Sequence, residues 1–370
     1  MTHSFIIAAR RSPVAPRNGA LARCLPHQLT APVITDLLDQ ADIAPEAVGE
    51  LILSNALGEG GNPARIAALA SGLPDRVGGL SVDRQCAGGL DAILLGDAMI
   101  RAGLHDVVIA GGAESYSRRP VRLRSFADNR PPLAYDQAPF TPWPDRDPDM
   151  AEAAADLARH ADISRAEQDR WAQRSHTAAL AARQKLTAEI TPIAGLGHDS
   201  FTRNLTERHC ARARPVCGPI TAANMAVAAD GAAFVLMVSD KLAHARSGPK
   251  AALLTGATLG ADPEQPGLAP IPAVNDVLSQ TGLKPDDLTT AEVMEAFAVQ
   301  AIACQQGASL AEGIVNPHGG ALARGHPIGA SGAILAVRLF HDLTQTGGVG
   351  LATIASAGGL GSALILQAEA

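Results

Sequence analysis

A chain of 370 residues, 47% apolar and 18% charged, can bury a large core as one big α/β domain or two of ordinary size, and is globular rather than disordered. No apolar run approaches the ~18 residues of a membrane helix, and a formal net charge of −7 without a long basic run argues against nucleic acid as a partner. Five cysteines, Cys24, Cys86, Cys210, Cys217 and Cys304, are irregularly spaced with no C-x-x-C, which fits thiols in a reducing cytoplasm better than disulfides or a metal site.

In chain order, "MTHSFIIAARRSP" has only a short apolar patch followed by arginines, and reads as a first strand rather than a secretory leader. Residues 32–48, "PVITDLLDQADIAPEAV", form an amphipathic helix stopped by a proline turn, with a short strand at "ELILS" after it. From Cys86, "CAGGLDAILLGDAMIRAG" is a glycine-rich turn opening an apolar helix that leads to the strand "VVIAGGAES". Four of the seven residues 118–124 are arginine. This local basic patch reads either as a solvated loop or as an anion-binding element.

The pattern then returns. Residues 272–288, "PAVNDVLSQTGLKPDDL", repeat the first helix: Pro32, Asp36, Leu38, Gln40 and Pro45 correspond to Pro272, Asp276, Leu278, Gln280 and Pro285. At the same offset His326 takes the place of Cys86 and opens "HPIGASGAILAVRLFHDL", which leads to "LATIASAGGLG". The chain therefore reads as two copies of one βα series, residues 1–112 plus 226–250 and residues 251–370, with an insertion at 113–225. Duplicated halves of this kind pack as pseudo-symmetric sheets covered by helices, with helix N-termini facing a shared crevice. Cys86 and His326 would then approach each other across the pseudo-twofold. Chance similarity between amphipathic helices is the alternative.

A cysteine at a helix N-terminus has its thiolate stabilised by the dipole and the free N–H groups. Gly88 and Gly89 leave room for a ligand, the N–H groups can receive an oxyanion, and a histidine can take the thiol proton. That makes Cys86 and His326 a candidate acyl-transfer pair, against the reading of Cys86 as a packing residue. The loop "GGALARGHPIGASG" around His326 is rich in glycine, but it is neither a Walker A loop nor G-x-G-x-x-G, so nucleotide binding is not indicated.

"RQCAGGLDA", "EAFAVQA", "GGALARGHPIGASGA" and "SAGGLGSA", in this order and at these separations, resemble the thiolase family of acyl-CoA acyltransferases. "RRSP", "NPARIAALASGLP", "ISRAEQDRWAQRS", "ITAANMAVAADGAA" and "GLAPIPA" extend the likeness over nearly the whole chain. The resemblance implies an α/β fold in five layers, α-β-α-β-α, with an inserted loop domain. It also implies a homodimer or a dimer of dimers in the cytoplasm, and a coenzyme A thioester as substrate with no permanently bound cofactor. The implied chemistry is the reversible Claisen reaction: an acyl group passes to Cys86, activated by His326, and CoA or an acyl-CoA carbanion attacks it. The backbone N–H groups of Cys86 and Gly358 correspond to an oxyanion hole, and Met150 and Phe297, with Met294 and Ala296, to the substrate pocket.

Three departures from the family pattern stand out. The family's Asn-Glu-Ala-Phe is here Met294-Glu295-Ala296-Phe297, and methionine cannot fix the oxyanion-hole water that the asparagine holds. The second family cysteine, which shuttles a proton, is here Ser356. A thiol titrates near ~8.5 and passes a proton at moderate cost, whereas a serine hydroxyl is a far weaker acid. His318, in "NPHGG", is a candidate substitute base or a loop histidine without a catalytic part. On the CoA side, "NMAVAAD" puts Ala226 where the family has a serine beside the pantetheine arm, and the insertion is short between Gly197 and Gly218. A carrier-protein thioester or a partner subunit becomes more credible on that account. Acylation of Cys86 with Claisen condensation or thiolysis is the leading expectation. A scaffold subunit with little turnover and a transacylase or thioesterase without C–C chemistry are the alternatives.

Overall fold

The computed structural model describes residues 3–58 and 60–369. Its principal elements in the first half are β1 (Ser4–Arg11), α1 (Pro26–Ala41), β2 (Glu50–Ser54), α2 (Pro63–Ala70), β3 (Leu80–Val82), α3 (Gly88–Arg101) and β4 (Val107–Ser115). A long excursion carries α4 (Met150–His160) and α5 (Arg165–Ala181) before the chain rejoins the sheet as β5 (Ala229–Ser239). The second half holds β6 (Lys250–Gly260), α6 (Pro270–Thr281), β7 (Thr290–Val293), α7 (Ala298–Gly307), α8 (Ile328–Thr346), β8 (Val349–Ser356) and β9 (Leu360–Glu369).

The internal repeat survives folding in register. α1 and α6 end at Ala41 and Thr281, one-turn 3₁₀ helices follow at Pro45–Ala47 and Pro285–Asp287, β2 and β7 begin at Glu50 and Thr290, and α3 and α8 begin at Gly88 and Ile328. Each pair is separated by the 240 residues that separate Cys86 from His326.

The strands run in the order β7-β8-β9-β6-β1-β5-β4-β2-β3, and β1 joins the two halves by pairing with both β5 and β6. Alternation along each strand sorts side chains onto two faces. In the first half, Leu51, Ile109, Phe234 and Leu236 face a core shared with Leu29, Val33 and Leu37 of α1. Ile52, Val108, Val235 and Met237 face the opposite way, into a core shared with Leu90 and Ile93 of α3 and Ile334 and Val337 of α8. The second half mirrors this: Ala352, Ile354 and Leu364 join that central core, while Leu351, Ala363 and Ile365 pack on Val274 and Val277 of α6. The result is α-β-α-β-α, with α3 and α8 as the middle layer.

The two central helices cross almost backbone to backbone. A Cβ on Gly332 would lie 2.5 Å from the Leu90 nitrogen, and one on Gly89 would lie 2.6 Å from the Ala333 nitrogen and 2.9 Å from the Gly329 oxygen. These glycines serve a helix crossing rather than a phosphate. Gly332→Ala is expected to lower stability by about 1–3 kcal/mol through overpacking, read as a lower midpoint in chemical denaturation. An unchanged midpoint would refute this tight crossing.

Candidate active site

Cys86 lies in the 3₁₀ turn Gln85–Ala87, which runs directly into α3. The turn is tight enough to hold Gln85 at φ 49, an uncommon conformation for a residue with a side chain. Asp83 Oδ1 stabilises it by accepting from the Gln85 backbone N–H at 2.9 Å and from Nε2 at 3.0 Å. His326 precedes Pro327 at the head of α8 and is fixed by its own backbone N–H, which donates to the Val227 oxygen at 2.8 Å. These two turns bring Cys86 Sγ to 3.1 Å from His326 Nε2.

Hydrogen bonding sets the tautomer of the histidine. The Ser331 hydroxyl donates to the Pro327 oxygen at 3.0 Å, so its lone pair is what meets His326 Nδ1 at 2.6 Å. Nδ1 therefore carries the proton, and Nε2 offers a lone pair to the Cys86 thiol. Burial, with Arg324 nearby, pushes His326 down to about 4. Burial pushes Cys86 up to about 12; the Cys86 backbone N–H opposes this, and Glu114 and Asp83 add to it. The resting pair is thus a neutral thiol facing a neutral imidazole. Proximity to the helix N-terminus was expected to favour the thiolate; desolvation outweighs it here.

Ser356 ends β8 and packs against the Cys86 turn, where its hydroxyl donates to the Arg84 oxygen at 3.1 Å. The turn that follows needs its glycines for backbone reasons. Gly358 and Gly359 adopt φ 80 and φ 76, and a Cβ on Gly359 would lie 2.7 Å from the Ala261 oxygen.

Ala226 and Ala296 meet through their main chains, with the Ala226 N–H donating to the Ala296 oxygen at 2.9 Å. Met225 and Phe297 form a β-bridge, as do Ala228 and His326, so one extended segment links the "EAFA" stretch to the histidine. Met294 is fully buried in the central core, and Cys86, Ala226 and Ala296 pack against that core. Met150 is half-buried at the start of α4. His318 is not brought to the pair. Its Nε2 lies 2.6 Å from Lys185 Nζ and 3.2 Å from Asp342 Oδ1. Asp342 is about 21 Å along α8 from Ile328, at ~1.5 Å per residue.

Three buried residues that the sequence did not single out shape the site. Glu114 binds the head of α8: one of its oxygens accepts from the Gly329 and Ala56 N–H groups at 3.0 Å each, the other from Asn55 Nδ2 at 2.8 Å and the Leu57 N–H at 3.2 Å. Burial raises its pKa to about 7 against those bonds. Glu295 clamps α5 to the second half, accepting from Trp171 Nε1 (2.9 Å), Ser175 Oγ (2.7 Å), Asn316 Nδ2 (2.9 Å) and the Leu322 N–H (3.1 Å). Arg324 is buried two residues before His326, with one long bond from Nη1 to the Gly319 oxygen at 3.4 Å. Among the described residues no group of three or more His, Cys, Asp or Glu side chains gathers to hold a metal ion, and no helix is long and apolar enough to cross a membrane.

The chain is similar to known proteins over nearly its whole length. The family description "Thiolase, N-terminal domain" matches residues 4–241, and "Thiolase, C-terminal domain" matches residues 247–368. A Staphylococcus aureus (strain COL) protein with the provisional name acetyl-CoA C-acetyltransferase VraB is 35% identical over 378 aligned positions, covering 99% of each chain. Its namesake in Staphylococcus epidermidis is 35% identical over 384 positions, again covering 99% of each. The crystal structure of the Bacillus anthracis acetyl-CoA acetyltransferase superposes with a TM-score of 0.92 at 32% identity, covering 100% of this chain and 99% of that one.

Proposed function

Because the chain belongs to the thiolase family, we propose that its acyltransferase activity on acyl-CoA thioesters runs through an acyl group carried on Cys86. The carrying observation is the 3.1 Å contact between Cys86 Sγ and the unprotonated Nε2 of His326. The Cys86 thiol proton passes to Nε2 as Sγ attacks the thioester carbonyl. The resulting oxyanion is met by the backbone N–H groups of Cys86 and Gly358, and collapse expels the CoA thiolate, which takes the proton back from His326. Met150, Ala296, Phe297 and Ala226 supply the apolar walls along the acyl group and the pantetheine arm, with Met294 behind them in the central core.

C–C chemistry needs one more proton transfer: removal of an α-proton from the attacking acyl-CoA in condensation, or return of that proton to the departing acyl-CoA carbanion in cleavage. Ser356 stands at that position and serves it poorly. This favours acyl transfer between thioesters over fast C–C chemistry as a second reading of the same site. Exchange of labelled CoA into acetyl-CoA, which needs only the first half-reaction, is expected to be faster than acetoacetyl-CoA cleavage. Cleavage as fast as exchange would remove that reading, and absence of both would remove the acyl-transfer proposal.

Arg324 has a role in keeping His326 a base. A buried cation beside the ring disfavours imidazolium, so the proton taken from Cys86 is readily passed on. In a histidine-labelled sample the His326 ring is expected to titrate near 4. It should stay neutral as pH falls through the ordinary ~6.5, and its midpoint should rise in Arg324→Met. A wild-type midpoint at ~6.5 would contradict this.

A further inference from the structure

The arginine patch at 118–124 is not simply a solvated loop. Arg119 and Arg122 fold inward and, with Arg17, line a cavity of about 360 Å³ between the turn after β4 and the short strand Leu133–Tyr135. We propose that this cavity is a binding site for a phosphate-bearing small molecule.

The positive charge is concentrated and held in place. The guanidinium groups of Arg119 and Arg17 lie 4.5 Å and 5.4 Å from the centre of the same Tyr116 ring. One aromatic ring thus holds two like charges close to it, whose repulsion an anion would relieve. Arg122 Nη2 donates to the Ala56 oxygen at 2.9 Å. Opposite charge is sparse. Asp136, paired with Arg119 at 3.0 Å, is 87% exposed. Asp230 stands behind the floor, where it accepts from the Ser117 N–H at 2.8 Å and from the Ser117 hydroxyl at 2.5 Å. Three arginines against these two carboxylates leave a net positive cavity in a chain of net charge −7. Fixed guanidinium forks suit the several oxygens of a phosphate ester.

Its position is also that of a ligand site. β2 and β4 are parallel neighbours, and the cavity lies beyond their carboxyl ends, where open α/β sheets bind ligands. Ala56, whose oxygen holds Arg122, gives its N–H to the Glu114 oxygen that also accepts from Gly329 at the head of α8. The cavity wall is therefore bonded to the wall of the Cys86–His326 site. Its occupant is either the phosphate end of the CoA thioester, an assignment that rests on the proposed function, or a separate phosphate compound.

The test is calorimetric titration of the full chain with adenosine 3′,5′-bisphosphate and with pyrophosphate. Wild type is expected to bind at least one of them. Arg17→Ala combined with Arg122→Gln, and separately Val121→Glu at the 83% exposed mouth, should weaken binding by about tenfold or more. Acylation of Cys86 by acetyl-pantetheine, which carries no phosphate, is expected to be unchanged in both. A KM that rises for acetyl-CoA but not for acetyl-pantetheine identifies the substrate's own phosphates. Lost probe binding with unchanged KM identifies a separate ligand. The proposal is overturned if wild type binds neither probe, or if both variants bind them as tightly as wild type. Because binding is read without Cys86 chemistry, failure of the acyl-transfer reading leaves this result independent.

Discussion

Replacing His326 with alanine is expected to slow acylation of Cys86 by about 10³-fold or more while leaving the fold intact. The size follows from the resting state of the thiol. With Cys86 pushed up to about 12, the thiolate is scarce at pH 7, whereas an ordinary cysteine near ~8.5 is a few per cent ionised. Attack on a thioester at a useful rate therefore requires that the proton leave as the bond forms. Nε2 of His326, at 3.1 Å, is positioned to take it. The Ser331 hydroxyl makes this possible by accepting from Nδ1. Ser331→Ala is accordingly a milder version of the same lesion, because the ring keeps its place but loses the bond that selects its tautomer. A His326→Ala protein that acylates at the wild-type rate would show that the thiol ionises by another route.

Ser356→Cys is expected to leave Cys86 acylation within about twofold of wild type and to raise acetoacetyl-CoA cleavage by about 10²-fold or more. Each unit by which a proton-transfer group misses the required pKa costs up to ~1.4 kcal/mol, and an alcohol lies several units above a thiol. The structural cost is small. The Ser356 hydroxyl makes one bond, to the Arg84 oxygen at 3.1 Å, and a thiol replaces it with a weaker donor, a loss of about 1 kcal/mol. The positive-φ glycines that shape the following turn are untouched. If cleavage does not rise, Ser356 is not the limiting group, and the proton moves through another buried acid. Glu114, raised to about 7, is then the group to examine, although its four accepted bonds commit it to holding the head of α8.

The parts of this site legible in the sequence are those carried by backbone geometry and local spacing. The shared offset of Cys86 and His326 predicted their meeting because each opens the equivalent helix of a repeated unit, and repeated units fold alike. The glycines around them are explained by the crossing of α3 and α8, which a reader of spacing sees as glycine enrichment without its cause. Residues that act through distant partners were not legible. Glu295 finds Trp171 in the insertion, and Glu114 finds Gly329 across the two halves. Neither pairing leaves a periodic trace. His318 was a candidate base because the NPHGG stretch offers a histidine, yet folding pairs it with Lys185 and Asp342. The net ionisation of Cys86 was likewise invisible to spacing: the helix N-terminus favours the thiolate, but the water removed by folding decides the outcome.

The central claim is that Cys86 carries the acyl group. Its most direct test is the intact mass of the protein after incubation with acetyl-CoA, followed by peptide mapping. The expected result is a gain of one acetyl group on Cys86 in wild type and none in Cys86→Ala. Absence of an adduct with every acyl-CoA tried, or an adduct that persists in Cys86→Ala, would contradict the account.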